Sequence, residues 1–334
     1  MDLAAGLAGF LGREWGGPVT VSGLAASSAG ARRANVAFDA ETADGGMRRL
    51  VATIVPIAAM QLNRIDAEVE VRTLVRQRGV PVPEVVTFST NDSWVGGPFF
   101  LSERIEGETV PRRVLRLVEE RGIGDLVAGQ LGNAVGCLHT IDPADVAAEL
   151  LDLGPGAPAE QALAALEEVM AGLLEPRPAL TYGLRWLQER LPAPPAAESV
   201  VHTDIRTGNL IVGEDGLRAV LDWEGTRRRG DPMEDLAWLA LRVWRFRNDD
   251  REIGGFSSLA PFVEAYEAAG GRFHPERYRW WKVYCTLKWG LGLAAQAARH
   301  LDGRFRSIVM AASGRRVPEM EWDLLMLINP GVRR

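Results

Sequence analysis

The stretch VVHTDIRTGNLIVGEDGLRAVLDWEG, residues 200–225, decides how this chain of 334 residues is interpreted. Its apolar pattern is interrupted by five polar side chains, namely His202, Asp204, Asn209, Asp222 and Glu224. Polar side chains that face a protein core cost free energy unless they have partners there. The interruptions therefore indicate a site at which something is bound.

A hairpin is expected within this stretch. The sequence GEDG at 213–216 separates two apolar runs, and glycine with aspartate between such runs is a turn signal. We expect one short strand pair that carries Asp204 and Asn209 at its entry and Asp222 at its exit. The three side chains would then lie together at the mouth of one hairpin.

These three residue types are the ones that phosphate transfer from ATP requires. An acceptor hydroxyl must be positioned by a carboxylate, and a divalent cation must be held against the phosphates by oxygen ligands. We assign Asp204 as the base or orienting group for the hydroxyl. Asn209 and Asp222 are the candidate metal ligands.

The first hundred residues have the pattern of a small sheet with one helix. Short alternating runs bounded by turn signals predict strands, and apolar positions at helical spacing before Gly79 predict a helix. The predicted strands cover 19–27, 34–42 and 48–56, the helix covers 65–79, and a further strand lies within 96–108.

From about residue 110 the apolar periodicity becomes helical. The predicted helices lie within 127–143, 160–175, 233–246, 259–271, 275–300 and 319–328. We therefore predict two lobes, a sheet-rich nucleotide-binding lobe at 1–105 and a helical catalytic and substrate-binding lobe at 106–334.

Composition excludes several classes of protein. A formal charge of −6 argues against a nucleic-acid partner, and no apolar run has the length of a membrane span. Cys137 and Cys285 lie far apart without a CxxC partner, so we expect buried thiols and no disulfide or zinc site. The N-terminus lacks a basic segment typical of a signal peptide, and we expect a cytoplasmic protein.

The ordered motifs HTDIRTGNLIV, AVLDWEG and GDPMEDLAWL resemble the aminoglycoside phosphotransferase and choline kinase-like branch of the protein-kinase-like fold. GVPVPEV, GPFFLSERIEGE, LHTIDP and TLKWG extend the resemblance over nearly the whole chain. It is closest to the broad bacterial phosphotransferase family, which includes kinase-like domains fused to acyl-CoA dehydrogenases. It implies an α+β, bilobal fold with an antiparallel-sheet N-lobe and a mainly helical C-lobe. It also implies an ATP- and Mg²⁺-dependent phosphotransferase with an alcohol group as acceptor.

The resemblance also implies roles for single residues. Asp204 matches the catalytic aspartate, Asn209 and Asp222 match the metal ligands, and His202 matches the residue that braces the catalytic loop. Glu68 matches the glutamate that pairs with the phosphate-binding cation. The remaining implied nucleotide contacts are Ser28 and Gly30 in the covering loop, Thr53 at the strand position of that cation, and Glu103 to Ile105 at the interlobe connection.

Two departures from the family pattern leave an alternative open. Thr53 stands where the family has a phosphate-binding lysine, and Gly30 is the single glycine of the covering-loop segment SSAGARR. There are three alternatives: a nearby arginine replaces the lysine, with Arg32, Arg33 and Arg49 as candidates; nucleotide affinity is weak; or the protein is a pseudo-kinase that binds a ligand without phosphate transfer.

We expect a hydroxylated small molecule as the acceptor, and the sequence favours an apolar or anionic one over an aminoglycoside. Tryptophan is frequent after the hairpin, and arginine is frequent in RRRG (227–230) and RVWRFRNDD (242–250). Asp231 and Asp235 are expected to brace a loop and cap the following helix. Glu224 could support the site or contact the metal.

Overall fold

The first lobe is built on one antiparallel sheet. The computed structural model describes residues 2–29, 33–57, 61–146, 149–304, 306–329 and 331, with the side chains of residues 27–29 excepted. The sheet has the strand order β1-β2-β3-β5-β4. Its strands are β1 (Val19–Ala29), β2 (Ala34–Thr42), β3 (Met47–Ile54), β4 (Val85–Ser89) and β5 (Phe99–Glu103).

Two helices cover the two faces of this sheet. Helix α1 (Leu3–Trp15) buries Leu7 and Phe10 against one face, which carries Leu50 of β3. Helix α2 (Ile65–Gln77) packs on the other face, where it meets Phe100 of β5. Because successive strand residues point to opposite faces, the two faces of β3 serve different purposes: one packs on α1, and the other faces α2.

The chain leaves the sheet after Glu103 and reaches the second lobe through a closely packed connection. Glu108 and Val212 exchange two backbone hydrogen bonds, with N···O distances of 2.8 and 3.0 Å. Gly107 has a φ of 149°, and a Cβ atom there would lie 2.6 Å from Cγ2 of Ile211. Only glycine fits this approach. The predicted lobe boundary at residue 105 falls in this connection and stays a prediction.

Helices and two short strand pairs form the second lobe. The helices are α3 (Pro111–Arg121), α4 (Gly124–His139), α5 (Pro158–Ala171), α6 (Pro178–Glu189), α7 (Pro232–Leu239), α8 (Leu259–Ala268), α9 (Pro275–Leu301), α10 (Ile308–Gly314) and α11 (Val317–Ile328). The strand pairs are β6 (Ser199–Val201) with β9 (Arg227–Gly230), and β7 (Leu210–Gly213) with β8 (Gly216–Val220).

The predicted hairpin is confirmed for β7 and β8, which the GEDG turn joins. The strand before His202 does not belong to that hairpin, because it pairs with β9 instead. The helix predicted for 233–246 is too long: α7 ends at Leu239, and Leu241 is extended before a 3-10 turn at Arg242–Trp244. The break in the helix lets the ring of Trp244 pack 5.7 Å from that of Trp238. This packing, rather than the helical spacing of the sequence, decides the backbone here.

Neither cysteine forms a disulfide; Cys285 is buried, and Cys137 is half-buried. Across the described residues, no helix is both long and apolar enough to cross a membrane.

Candidate functional site

Asp204 lies just after β6, and three side chains donate hydrogen bonds to its carboxylate. Trp238 Nε1 lies 2.8 Å from Oδ1, and Asn209 Nδ2 lies 2.8 Å from Oδ2. Arg206 Nε lies 3.1 Å from Oδ1. The Asp204 side chain is still 29% exposed. Its direction is therefore fixed while part of the carboxylate stays accessible to a bound hydroxyl.

His202 is fully buried and braces this loop. Its Nε2 donates to the carbonyl oxygen of Leu221 at 3.0 Å, and its Nδ1 accepts from the backbone N–H of Asp204 at 3.2 Å. Burial lowers its pKa, so the ring is neutral and the two bonds define its tautomer. His202 thus acts on the loop rather than on a substrate, as the resemblance implies.

Asp235 anchors the same loop from helix α7. Its carboxylate accepts the backbone N–H groups of His202 at 2.8 Å and Thr203 at 2.6 Å. It also pairs with His139 Nε2 at 3.1 Å, and Nδ1 of that ring lies 3.0 Å from the hydroxyl of Tyr266. Burial opposes the charge of Asp235, but the hydrogen bonds from His139 and from the backbone N–H of His202 still hold its pKa below the ordinary value. The expected loop-bracing role of Asp235 is present in the structure.

Thr203 joins the loop to the segment that follows Asp222. Its φ is 72°, a left-handed conformation that is strained for a β-branched residue. Its hydroxyl donates to the carbonyl oxygen of Gly225 at 2.9 Å. A Cβ atom at Gly225 would lie 2.8 Å from that hydroxyl, so the two segments approach closely only because residue 225 is glycine.

The two candidate metal ligands are neighbours through the backbone. The N–H of Leu221, beside Asp222, donates to the carbonyl oxygen of Asn209 at 2.8 Å. The amide nitrogen of Asn209 donates its hydrogen bonds to Asp204, so its amide oxygen Oδ1 is the atom that can act as an acceptor or metal ligand. An amide oxygen and a carboxylate are the hard oxygen donors that Mg²⁺ prefers.

Asp222 carries a charge that the protein compensates poorly. Burial raises its pKa to about 6, and the nearby carboxylates of Asp204 and Glu224 add to the effect. A divalent cation would relieve this crowding of negative charge. Across the described part of the chain, no group of three or more His, Cys, Asp or Glu side chains is arranged to hold a metal. A cation at Asp222 would therefore also need Asn209 and phosphate or water oxygens.

Glu68 of α2 is fully buried and has two arginine partners. Arg33 Nη2 lies 2.7 Å from its Oε2, and Arg72 Nη1 lies 3.8 Å from its Oε1. The Arg33 Nε lies 2.8 Å from Oε2 of Glu224, which belongs to the second lobe. Burial opposes the charge of Arg33, but the pKa is still raised, by Glu68 and then by Glu224 and Asp222. One guanidinium thus links the two lobes beside Asp222.

Two other predicted nucleotide contacts have partners other than Glu68. The Thr53 hydroxyl donates to Asn35 Oδ1 at 2.9 Å. The Arg49 side chain is 64% exposed and pairs with Glu106 at 3.3 Å, so the structure places it at the interlobe connection rather than beside Glu68.

Glu103 and Ile105 flank the crossing between the lobes and are both half-buried. The backbone N–H of Glu103 donates to the carbonyl oxygen of Glu84 at 2.9 Å. In the covering loop, Gly30, Arg32 and the side chain of Ser28 lie outside the described residues.

Three functional candidates were missed at the sequence level. Arg206 and Trp238 contact Asp204 directly, and Asn63 is a buried link between the lobes. The Asn63 amide donates to the carbonyl oxygens of Glu224 and Thr226 at 3.0 and 2.7 Å. Arg206 could have been found from its position two residues after Asp204. Asn63 gives no signal in the sequence.

A cluster of aromatic side chains packs next to Asp204, and two of its members, Trp238 and Trp244, are buried. The rings of Trp238, Trp244 and Trp289 lie within 5.1 to 5.8 Å of one another. The guanidinium of Arg206 lies 5.3 Å from the ring centre of Trp244. Trp238 thus contacts Asp204, the candidate base, directly, and Trp244 contacts Arg206, which also binds the Asp204 carboxylate.

Much of the arginine excess in the second lobe is used in internal ion pairs. Arg227 is buried against Glu234, and Arg228 and Arg229 both pair with Asp152. In the next run, Arg242 pairs with Asp249 and Asp323, and Arg245 donates to two backbone carbonyl groups. These side chains do not support the expectation of an anionic acceptor.

Comparison with known proteins assigns the family and the fold. The model of the phosphotransferase enzyme family (APH) matches residues 27–281. A solved protein of Ralstonia eutropha JMP134, provisionally assigned as an aminoglycoside phosphotransferase, aligns with a TM-score of 0.71 at 22% identity, covering 92% of this chain and 93% of that one. A hygromycin B and AMP-PNP complex of aminoglycoside phosphotransferase APH(4)-Ia aligns with a TM-score of 0.64 at 16% identity, covering 98% and 99%. These likenesses show the bilobal protein-kinase-like fold.

The curated relatives are longer proteins. Acyl-CoA dehydrogenase family member 11 of Pongo abelii is 27% identical over 185 residues, which cover 54% of this chain and 23% of that protein. Acyl-CoA dehydrogenase family member 10 of Mus musculus is 24% identical over 286 residues, which cover 81% and 26%. This chain thus spans about a quarter of the length of the curated relatives that it matches.

Proposed function

Because this chain belongs to the phosphotransferase enzyme family (APH), we propose that it transfers the γ-phosphoryl group of ATP to a hydroxyl group of a small molecule. The new bond joins the acceptor oxygen to the γ-phosphorus, and the bond from that phosphorus to the β–γ bridging oxygen breaks. ADP leaves, and the hydroxyl proton passes to Asp204. The complex of APH(4)-Ia with the ATP analogue AMP-PNP supports ATP as the donor.

The arrangement around Asp204 carries the proposal. Trp238, Asn209 and Arg206 hold its carboxylate in one direction, so it can orient a hydroxyl and accept its proton. Bound Mg²⁺ would neutralise phosphate charge, and Asn209 Oδ1 with the Asp222 carboxylate are the oxygen donors suited to hold it. Asn209 therefore serves both the base and the metal.

We propose an acceptor with an apolar body and one reactive hydroxyl. The aromatic cluster of Trp238, Trp244 and Trp289 supports this class, because it gives the surroundings of Asp204 an apolar character, whereas a polycation would need several carboxylates to pair with. Hydroxyacyl thioesters belong to the class, and the names of the curated relatives make them worth testing.

An acceptor panel tests the proposal. Purified protein with Mg·ATP would be offered aminoglycosides of the kanamycin type, bulky apolar alcohols and hydroxyacyl thioesters, with ADP release and the product mass as readouts. We expect phosphorylated product from the apolar alcohols or thioesters. Efficient phosphorylation of kanamycin would contradict the acceptor class.

The pseudo-kinase alternative rests on Thr53. It predicts nucleotide binding without ADP release for every acceptor in the panel. Product that carries one added phosphoryl group in the presence of wild-type protein, and none with Asp204→Asn, excludes this alternative.

A further inference from the structure

Arg33 lies between the two lobes in a position that the proposed reaction does not yet use. We propose that Arg33 is the cation that binds the nucleotide phosphates, supplied from the start of β2 in place of a lysine at Thr53 on β3. This inference rests on the proposed function and names a residue that acts in it.

Sheet geometry makes this substitution feasible. Asn35 of β2 is paired in register with Thr53 of β3, and their side chains are hydrogen-bonded at 2.9 Å, so both lie on one face of the sheet. Arg33 precedes Asn35 by two residues, and alternation along an extended chain places it on that same face. Neighbouring strands are about 4.8 Å apart, a distance that the long arginine side chain spans.

The partners of Arg33 locate its guanidinium. Glu68 is fully buried, and a buried carboxylate needs a cation at close range. Arg33 supplies that cation at 2.7 Å and reaches Glu224, two residues beyond Asp222, at 2.8 Å. Phosphate oxygens that share a cation with Asp222 would therefore lie beside this guanidinium.

The two competing arginines are less suitable. Arg72 also contacts Glu68, but at 3.8 Å rather than 2.7 Å, and its guanidinium lies over the ring of Phe100 at 4.7 Å. We infer that Arg72 holds the Glu68 carboxylate in place and does not bind phosphate. Arg49 is exposed and paired with Glu106, away from this group of charges.

When a nucleotide binds, Arg33 would have to exchange a carboxylate partner for phosphate oxygens. A guanidinium has five N–H donors in a planar fork, more than its contacts with Glu68 and Glu224 require. Phosphate oxygens are strong acceptors for this fork. We infer that Arg33 keeps Glu68 and turns from Glu224 toward the phosphates when Mg·nucleotide enters.

The test compares binding of Mg·AMP-PNP and of adenosine by titration calorimetry. Arg33→Ala should weaken Mg·AMP-PNP binding by about tenfold to a hundredfold, the effect of losing charge-assisted hydrogen bonds. Binding of adenosine, which has no phosphate, should stay within about twofold of the wild type. Arg33→Lys should keep part of the affinity for Mg·AMP-PNP, because it keeps the charge but loses the fork.

A relocated charge separates a binding role from a structural one. The double variant Arg33→Ala with Thr53→Lys should recover most of the lost affinity, since the new amine starts from the same face of the sheet. Arg48→Ala is the matched control in the same strand as Thr53: Arg48 is exposed and lies over the ring of Trp15 on the opposite face of the sheet, so this variant should bind Mg·AMP-PNP like the wild type. Circular dichroism and melting curves check that each variant is folded.

Three outcomes would overturn the inference while leaving the proposed function intact. They are unchanged Mg·AMP-PNP binding by Arg33→Ala, an equal loss of adenosine binding, and a folded double variant that binds no better than Arg33→Ala. No Mg·AMP-PNP binding by the wild-type protein would instead overturn the proposed function and this inference together.

Discussion

The candidate catalytic loop, residues 202–209, and the charged cluster at helix α2 are two polar sites that the chain assembles differently. In the loop, His202, Asp204 and Asn209 are close in sequence and joined by hydrogen bonds to one another. In the cluster, Glu68 and Arg33 meet only because α2 packs against the sheet. A site made from one segment depends on local geometry, whereas a site made from several segments can take its cation from a neighbouring strand.

The largest expected effect is a loss of turnover when Asp204 is replaced. Asp204→Asn keeps the shape of the side chain but removes the proton acceptor, so the rate of phosphate transfer should fall by about 10²–10⁴. Affinity for Mg·AMP-PNP should change little. Steady-state ADP release and calorimetric titration measure the two quantities.

Asp215→Asn is the matched control for this variant. Asp215 lies in the turn between β7 and β8, where its carboxylate is exposed and pairs with Arg218. Its loss should leave turnover within about twofold, because a surface ion pair contributes little. If the two variants lose activity equally, Asp204 has no special role.

The next largest effect should come from the anchor of the loop. Asp235→Asn places an amide N–H₂ where the backbone N–H groups of His202 and Thr203 donate, and it removes the buried charge beside His139. We expect a loss of about 3 kcal/mol or more in the free energy of unfolding, with a fall in turnover. Urea denaturation followed by fluorescence measures the first.

Replacing Asp235, the anchor of the loop, should reduce stability, whereas replacing Asp204, the proposed base, should not. Asp204→Asn should unfold at nearly the wild-type urea concentration, while Asp235→Asn should not. Equal stability of all three proteins would show that the hydrogen bonds to Asp235 do not hold the loop.

The smallest effect concerns Asp222 and has a defined pH dependence. Its folded-state pKa of about 6 lies above the ordinary value of 3.8, so the folded protein favours the protonated form. The associated stability is fully present below about pH 4 and is lost as the pH rises to about 6. Above that range the ionised carboxylate costs about 1–2 kcal/mol, because partial exposure to solvent reduces the penalty of burying its charge.

Asp222→Asn should therefore stabilise the nucleotide-free protein at pH 8 by about 1–2 kcal/mol and have little effect at pH 4. Asparagine also accepts the left-handed backbone at this position, where φ is 66°. Binding of Mg·AMP-PNP should weaken in the same variant. A destabilised protein at pH 8, or unchanged nucleotide binding, would contradict the assignment of Asp222.

Sequence reasoning was most successful where local pattern decides structure. Alternation and turn signals identified β1, β2 and β3, and the GEDG turn identified the β7–β8 hairpin, because strand faces and turn chemistry are local properties. Helices α1, α3 and α6 and the short α10 were not predicted. Their sequences mix glycine, proline or many charges with the apolar stripe, and packing against the sheet or neighbouring helices stabilises them.

The sequence by itself determined the family resemblance, the fold class and the polar set of the catalytic loop. Those residues are separated by fixed short distances along the chain, so their spacing carries the information. Only the tertiary structure decided that Arg33 pairs with Glu68 while Arg49 pairs with Glu106, and that Asp235 and Trp238 reach the loop. These contacts join side chains far apart in sequence, and close packing of the lobes, rather than local propensity, selects them.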